Sequence, residues 1–248
     1  MAEQPWLTPQ ASGAPFPDGV QALTTLRWGG YSAAPYASLN LGDRTGDDPA
    51  AVAANRRLLA ERAGLPEGPR WLAQVHGTEV VPVHRSPPEP EADAAWTDRP
   101  GVVCAVLTAD CLPVVLAARD ASVVAVAHAG WRGLAGGVLE ALVAAVPVPA
   151  AALVAWLGPA IGGRAFEVGP EVAEALGGAG GGARAGLVPG AGDRWHADLA
   201  RLAAQRLRTL GLPAVVGGER CTYSEPAAFF SHRRDGPTGR MATVVHRA

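Results

Sequence analysis

His76, Cys111 and His128 are the residues whose types and settings point most directly to chemistry. Each follows a short apolar run. WLAQV leads into His76-Gly77, VVCAVL into Thr108-Ala109-Asp110-Cys111, and VVAVA into His128-Ala-Gly-Trp-Arg-Gly. In an open α/β sheet the working side chains lie just beyond the carboxyl ends of strands. The small residues around all three positions let a ligand approach closely. Two imidazoles and a thiolate suit a three-ligand zinc site with its fourth position open. The three residues are separated by 35 and 17 positions, so only the fold can assemble them. A histidine or cysteine at a strand end is more often structural, and residue types alone leave that alternative open.

The other candidates divide the same way. Asp110, beside Cys111, either orients a ligand histidine through its second ring nitrogen or caps the turn before Leu112. Arg132 either grips an anion, with Trp131 stacking on a base, or is a surface arginine beside a packed tryptophan. Cys104 sits mid-strand among apolar residues and reads as core. Cys221 opens CTYSE and reads as a structural thiol, while His84, His196 and His246 read as solvated or capped.

Composition narrows the function classes. The 248 residues are 48% apolar and 18% charged, enough to bury a core. All 21 basic residues are arginine. Without lysine there is no Schiff base, no pyridoxal-phosphate anchor and no phosphate-loop lysine. A formal net charge of −2 shows no basic footprint for nucleic acid or an anionic membrane. Three cysteines without a C-x-x-C pair fit a reducing cytoplasm better than a disulfide framework. No secretory signal and no membrane-length apolar run are visible.

The elements that must position these residues alternate between strand and helix, which predicts a single α/β domain over 19–248 behind a proline-rich tail at 1–18. Strands are expected at 20–28, 71–77, 78–84, 102–107, 112–118, 122–128 and 151–158. Residues 85–93 read as an exposed loop. Asp48 before Pro49 predicts a helix ending at Gly64, and further helices are expected at 133–146, 167–176 and 193–211. The glycine-rich run 177–186 reads as a flexible loop, and the C-terminal stretch from Cys221 as two strands around an arginine-rich turn.

Several ordered motifs then resemble one family: QVHG (74–77), TADCLPVVL (108–116), AHAGWRGL (127–134), LGPAIGG (157–163), FEVGPEV (166–172), CTYSE (221–225) and FFSHRRDGPTGRM (229–241), with TTLRWGGYS (24–32), PYASLNLGDRTGDDP (35–49) and VAANRRLL (52–59) near the N-terminus. The chain resembles, from about Val20 to His246, the YfiH-like laccase-domain family, also called multicopper polyphenol oxidase, peptidoglycan editing factor and zinc-dependent purine nucleoside phosphorylase. One departure is His232, where members often carry tyrosine or another residue.

The resemblance implies packed mixed β-sheets flanked by helices, likened to Cys-His hydrolases. It implies Zn²⁺ held by His76, Cys111 and His128, which also serve catalysis. Copper could take the same ligands, since divalent copper outcompetes zinc at nitrogen and sulfur donors. The implied activity is phosphorolysis of adenosine, inosine and methylthioadenosine, with adenosine deamination. Arg27, Asn40 and Gln74, which fall in family motifs, and Arg132 are expected to bind substrate, purine nucleosides and phosphate being the partners. Neither nucleic acid nor membrane is expected, and the protein should be a cytoplasmic monomer or weak homodimer. Two other readings compete: a Cys-His amidohydrolase with Cys111 as nucleophile, and a binding factor in peptidoglycan precursor editing. A multicopper oxidase is disfavoured, because six scattered histidines do not supply a second copper cluster.

Overall fold

Thirteen strands and six α-helices stack in four layers in the computed structural model, which describes residues 6–177 and 183–248. One sheet is built from β1 (Trp6–Leu7), β2 (Val20–Thr25), β13 (Met241–Arg247) and β5 (Cys104–Thr108), in that order. The second has the order β12 (Ala214–Gly217), β8 (Leu153–Leu157), β6 (Leu112–Ala118), β7 (Val124–Ala129), β4 (Ala94–Thr97) and β3 (Val80–Pro82). It is antiparallel at its centre and parallel at the two outer pairs. A small third sheet joins β10 (Leu187–Pro189), β11 (Trp195–Ala197) and β9 (Glu167–Val168).

Alternation along the strands explains the stacking. Leu112, Val114 and Leu116 of β6 face a helical layer of α2 (Trp131–Gly136), α3 (Val138–Ala145), α4 (Pro170–Gly177) and α5 (Leu199–Thr209). Val115 and Ala117 face the other way, meeting Val20, Cys104, Val106 and Val245 of the four-stranded sheet. That sheet turns Leu23, Ala105 and Val244 outward onto Leu59 of α1 (Pro49–Ala63). Strand β6 is therefore buried on both faces, and LPVVLAA is apolar throughout for that reason.

The expected α/β class with mixed sheets is present, but several boundaries move. Residues 71–77 form no strand; Arg70 and Ala73 make isolated bridges, and the stretch is a turn built around side chains. The strand expected at 78–84 shrinks to Val80–Pro82. The helix expected at 133–146 starts at Trp131 and is cut by Gly137, whose φ of 96° no helix accommodates. Asp198 rather than Asp193 caps α5, its side chain accepting from Arg201 N, a contact worth about 1 kcal/mol. The residues before it, Trp195–Ala197, pair as a strand. Past Cys221 there is one strand, β13, preceded by turns and the short α6 (His232–Asp235). Trp6 and Leu7, within the expected tail, pair with Thr25 and Thr24. His246 is buried, not solvated, while His84 is half-buried with its ring held between Thr97 Oγ1 and Asp98. Of the glycine-rich run, positions 178–182 lie outside the described residues.

Candidate metal centre and active site

His76 stands on a tight turn, with φ at 63° in the left-handed region that side chains other than glycine seldom adopt. The turn is held by the carboxylate of Asp93. Oδ2 accepts from Val75 N at 3.1 Å and Gly77 N at 2.7 Å, and Oδ1 accepts from His76 N at 3.0 Å. Such a run of converging N–H groups forms an anion nest. Asp93 is fully buried, at the end of the stretch that the sequence presents as an exposed loop. Its Oδ1 also accepts from His128 Nδ1 at 2.8 Å, and its carbonyl accepts from His128 N at 2.7 Å. His128 lies in β7 on the face shared with Val124 and Val126, towards the four-stranded sheet.

Cys111 arrives by a second strained turn, after Asp110 with φ at 92°. Asp110 does not reach either histidine. Its carboxylate accepts from Thr222 Oγ1 at 2.6 Å and from Arg233 N at 2.7 Å, pinning the β5–β6 turn to the C-terminal segment. Backbone strain of this kind persists only where surrounding contacts over-determine it, and it collects at functional sites.

The ligand atoms of His76, Cys111 and His128 lie within 4.8 Å of one another, although His76 is exposed and His128 is buried. The two imidazole rings meet edge to face, their centroids 4.8 Å apart. Burial by itself would push the Cys111 thiol up, but the adjoining His128 and His76 outweigh it and bring its pKa well down. Burial opposes the charge on His128 likewise, yet Cys111 and Asp93 raise its pKa. On Asp93 burial is outweighed by the His128 and backbone hydrogen bonds, which hold the carboxyl below its usual range. A softened thiolate facing two nitrogens is a donor set for a transition metal. Space for an ion is kept by Gly130, where a Cβ would lie 2.9 Å from Cys111 Sγ and 3.2 Å from His76 Cδ2. The three residues fit a metal ion.

These groups open into a cavity of about 320 Å³, within the range of small-molecule sites. Its wall carries Trp71, Leu72, Leu107 and Ala109, with Thr108 and the arginines Arg44, Arg56 and Arg240. Thr108 is buried, and its hydroxyl has no hydrogen-bond partner among the described residues. Arg56 is already engaged. Its guanidinium stacks 4.4 Å from the Trp71 ring and lies 3.3 Å from Asp43 and 3.8 Å from Glu89. Arg240 spends Nη1 on the carbonyls of Thr238 and Gly239. His232, the departure from the family pattern, lines the same cavity.

The other residues expected to bind substrate fall in different places. Gln74 lines the cavity, but its amide is spent on Leu107, donating to O at 2.9 Å and accepting from N at 2.7 Å. Asn40 is buried behind the wall. Its Oδ1 accepts from Gly42 N and Arg240 N, and its amide donates to Thr45 Oγ1 and Asp47, so it shapes the 42–45 loop and places Arg240. Arg27 does not line the cavity; it donates to the carbonyls of Ala37 and Pro226 and packs over Phe230. Arg132 is exposed and folded over Trp131 at 4.3 Å, also outside the cavity wall. Sequence reasoning missed Asp93, Arg44, Arg56, Trp71 and Thr108, and it gave Arg240 no role beyond its place in an arginine-rich turn. The position of Asp93 before a β-strand is no signal on its own; its burial is what distinguishes it.

The two remaining thiols lie elsewhere. Cys104 is fully buried, which raises its pKa strongly. Cys221 accepts from Gly162 N at 3.2 Å in a separate pocket with Asp198 and Ser224. Iodoacetamide on native protein is expected to leave Cys104 unlabelled, as peptide mass spectrometry would show. Cys104→Ala and Cys221→Ala should keep turnover per folded molecule within about twofold, since neither touches the cavity.

The fold and site define a single-domain α/β protein with a His-Cys-His group able to hold a metal ion, lining a cavity of small-molecule size. The chain belongs to the family described as multi-copper polyphenol oxidoreductase laccase, whose model matches residues 21–248. It is 52% identical to a purine nucleoside phosphorylase of Pseudomonas aeruginosa over 97% of each chain. It is 49% identical to the purine nucleoside phosphorylase YfiH of Escherichia coli, over 93% of this chain and 95% of that one. A crystal structure of a Neisseria meningitidis protein superposes with a TM-score of 0.94 at 44% identity, covering 98% of this chain and 99% of the other. Among the described residues, His76, Cys111 and His128 form the one group of three or more His, Cys, Asp or Glu placed closely enough to hold a metal ion. That does not furnish the separate cluster a multicopper oxidase requires. No helix among them is long and apolar enough to cross a membrane.

Proposed function

We propose that this chain is a zinc-dependent purine nucleoside phosphorylase that acts on adenosine, inosine and methylthioadenosine, with adenosine deamination as a second activity. The observation that carries the reading is the cavity itself, in a chain 52% identical to a phosphorylase by name. It joins a His-Cys-His group to apolar walls and arginines. Zn²⁺ bound by His76, Cys111 and His128 supplies a Lewis acid beside the substrate. Copper fits the same donors by its affinity order, but a single site supports no multicopper oxidation.

The rest follows from the chain's own side chains. Leu72, Leu107 and Ala109 offer an apolar surface for a purine, and the Thr108 hydroxyl, without a partner among the described residues, lies in the same wall. Of the three cavity arginines, Arg56 is neutralised by Asp43 and Glu89, which leaves Arg44 and Arg240 to hold phosphate. Their planar forks suit a bidentate oxyanion contact. Held there, a phosphate oxygen attacks C1′ of the ribose as the glycosidic bond to the purine breaks. Inosine and phosphate give ribose 1-phosphate and hypoxanthine. Positive charge developing on the ribose is met by the phosphate, and the arginines keep that anion in place. Three free thiols support a cytoplasmic enzyme, and we expect it to be a monomer or weak homodimer.

A second reading has one observation in its favour. Asp93, His128 and Cys111 line up as acid, base and thiol, the order a Cys-His amidohydrolase uses. Metal-quantified protein incubated with inosine separates the two. Hypoxanthine release is expected to depend on phosphate and on zinc. Release without phosphate, or none at all with full zinc, defeats the phosphorylase reading and favours cell-wall amides as substrate.

A further inference from the structure

We infer that Asp93 is the positioning residue of the metal centre: one buried carboxylate fixes both the ring of His128 and the turn that carries His76. This rests on the metal-centre reading of the site. Four hydrogen bonds converge on the two oxygens, from His128 Nδ1, His76 N, Val75 N and Gly77 N, at distances of 2.7 to 3.1 Å. A fifth contact, His128 N to the Asp93 carbonyl at 2.7 Å, locks the two backbones together. Two residues that lie 52 positions apart thus share a single anchor.

The consequence for His128 is a choice of nitrogen. A carboxylate accepts, so Nδ1 carries the proton and Nε2 is left with the lone pair a metal needs. The consequence for His76 is a backbone conformation. Its φ of 63° is unfavourable by itself, and three N–H groups bound to one anion hold the turn in it. Without the carboxylate both strains are released together: the turn relaxes and the imidazole is free to present either nitrogen. Asp93 is fully buried and is not among the residues that line the cavity, whereas both histidines are.

Asp93→Asn tests this at constant shape. An amide has one oxygen where the carboxylate has two, so at least two of the four donors would face an NH₂ group. Zinc affinity, read by competition with a chromogenic chelator, is expected to fall 10–100-fold, the usual cost of losing an outer partner of a metal ligand. Cobalt substituted for zinc should show shifted visible ligand-field bands, which a loss of stability alone does not produce. Wild-type affinity with an unchanged cobalt spectrum overturns the inference. A second measurement needs no variant. Long-range proton–nitrogen correlation on the zinc-loaded wild type is expected to show His128 protonated at Nδ1 and metal-bound at Nε2. Coordination through Nδ1 overturns the inference even if Asp93→Asn does not fold. Wild-type protein that takes up neither zinc nor cobalt removes the metal reading itself, and the inference falls with it.

Discussion

Cys111→Ala is expected to lose zinc and phosphorolysis together, with affinity reduced by more than about 100-fold, because removing a ligand exceeds the cost of removing its outer partners. The thiolate is the charged member of the group and is brought down in pKa by the two histidines, so it supplies most of the attraction for a cation. The fold should survive. Cys111 precedes β6, whose core contacts run through Leu112, Val114 and Leu116, and a methyl remains at the position. Elemental analysis of protein prepared without a metal-affinity tag checks the first half, and coupled detection of hypoxanthine checks the second. A Cys111→Ala protein that keeps one zinc per chain would place the metal elsewhere. One that loses zinc yet turns over inosine at the wild-type rate would uncouple metal from reaction.

Arg240→Gln is expected to raise the KM for phosphate by about 10–100-fold, the worth of a charge-assisted hydrogen bond to an anion. Zinc content and the KM for inosine should change little. Arg240 is suited to the task by its setting. Burial lowers its pKa, opposed by Cys111 and Asp110, so the cation is partly desolvated in the neighbourhood of acidic groups. The stem packs against Gly42, where a Cβ would meet its Cγ at 2.7 Å, and Asn40 Oδ1 receives its backbone N–H. Arg132→Ala is the informative contrast. The sequence offers Arg132 as a candidate anion grip, but it lies exposed on a six-residue helix, folded over Trp131. Its removal should leave phosphate KM unchanged. A rise for Arg132 and none for Arg240 would reverse the assignment of the anion site.

The elements most legible in the sequence were those whose pattern is local. Strand β6 and strand β7 are continuous apolar runs because both faces are covered, and α1 announces itself through Asp48, Pro49 and Gly64. The helix at 133–146 was misjudged by an internal break and the one at 193–211 at its start. In both cases helical periodicity continued through residues that the tertiary structure assigns elsewhere: Gly137 to a left-handed joint, Trp195–Ala197 to a strand paired with β10 and β9. The stretch 71–77 failed as a strand because the N–H groups of Val75, His76 and Gly77 bond to a side chain, Asp93, which no local pattern announces.

The site divides along the same line. Residue type and motif alone picked out His76, Cys111 and His128, since few side chains bind a metal and these three stand among small residues at the ends of apolar runs. Their convergence to within 4.8 Å, the carboxylate that ties two of them, and the arginines that line the cavity were decided by the four-layer packing. Asp93 exchanges the appearance of a loop acid for a fully buried anchor only when β4 is laid beside β7. Arg240 becomes a cavity residue only when β13 is inserted between β2 and β5, which carries its preceding loop over Asn40. Chemical identity is a property of the residue and is written in the chain; burial and proximity come from contacts between positions far apart in sequence, and only the tertiary structure makes them.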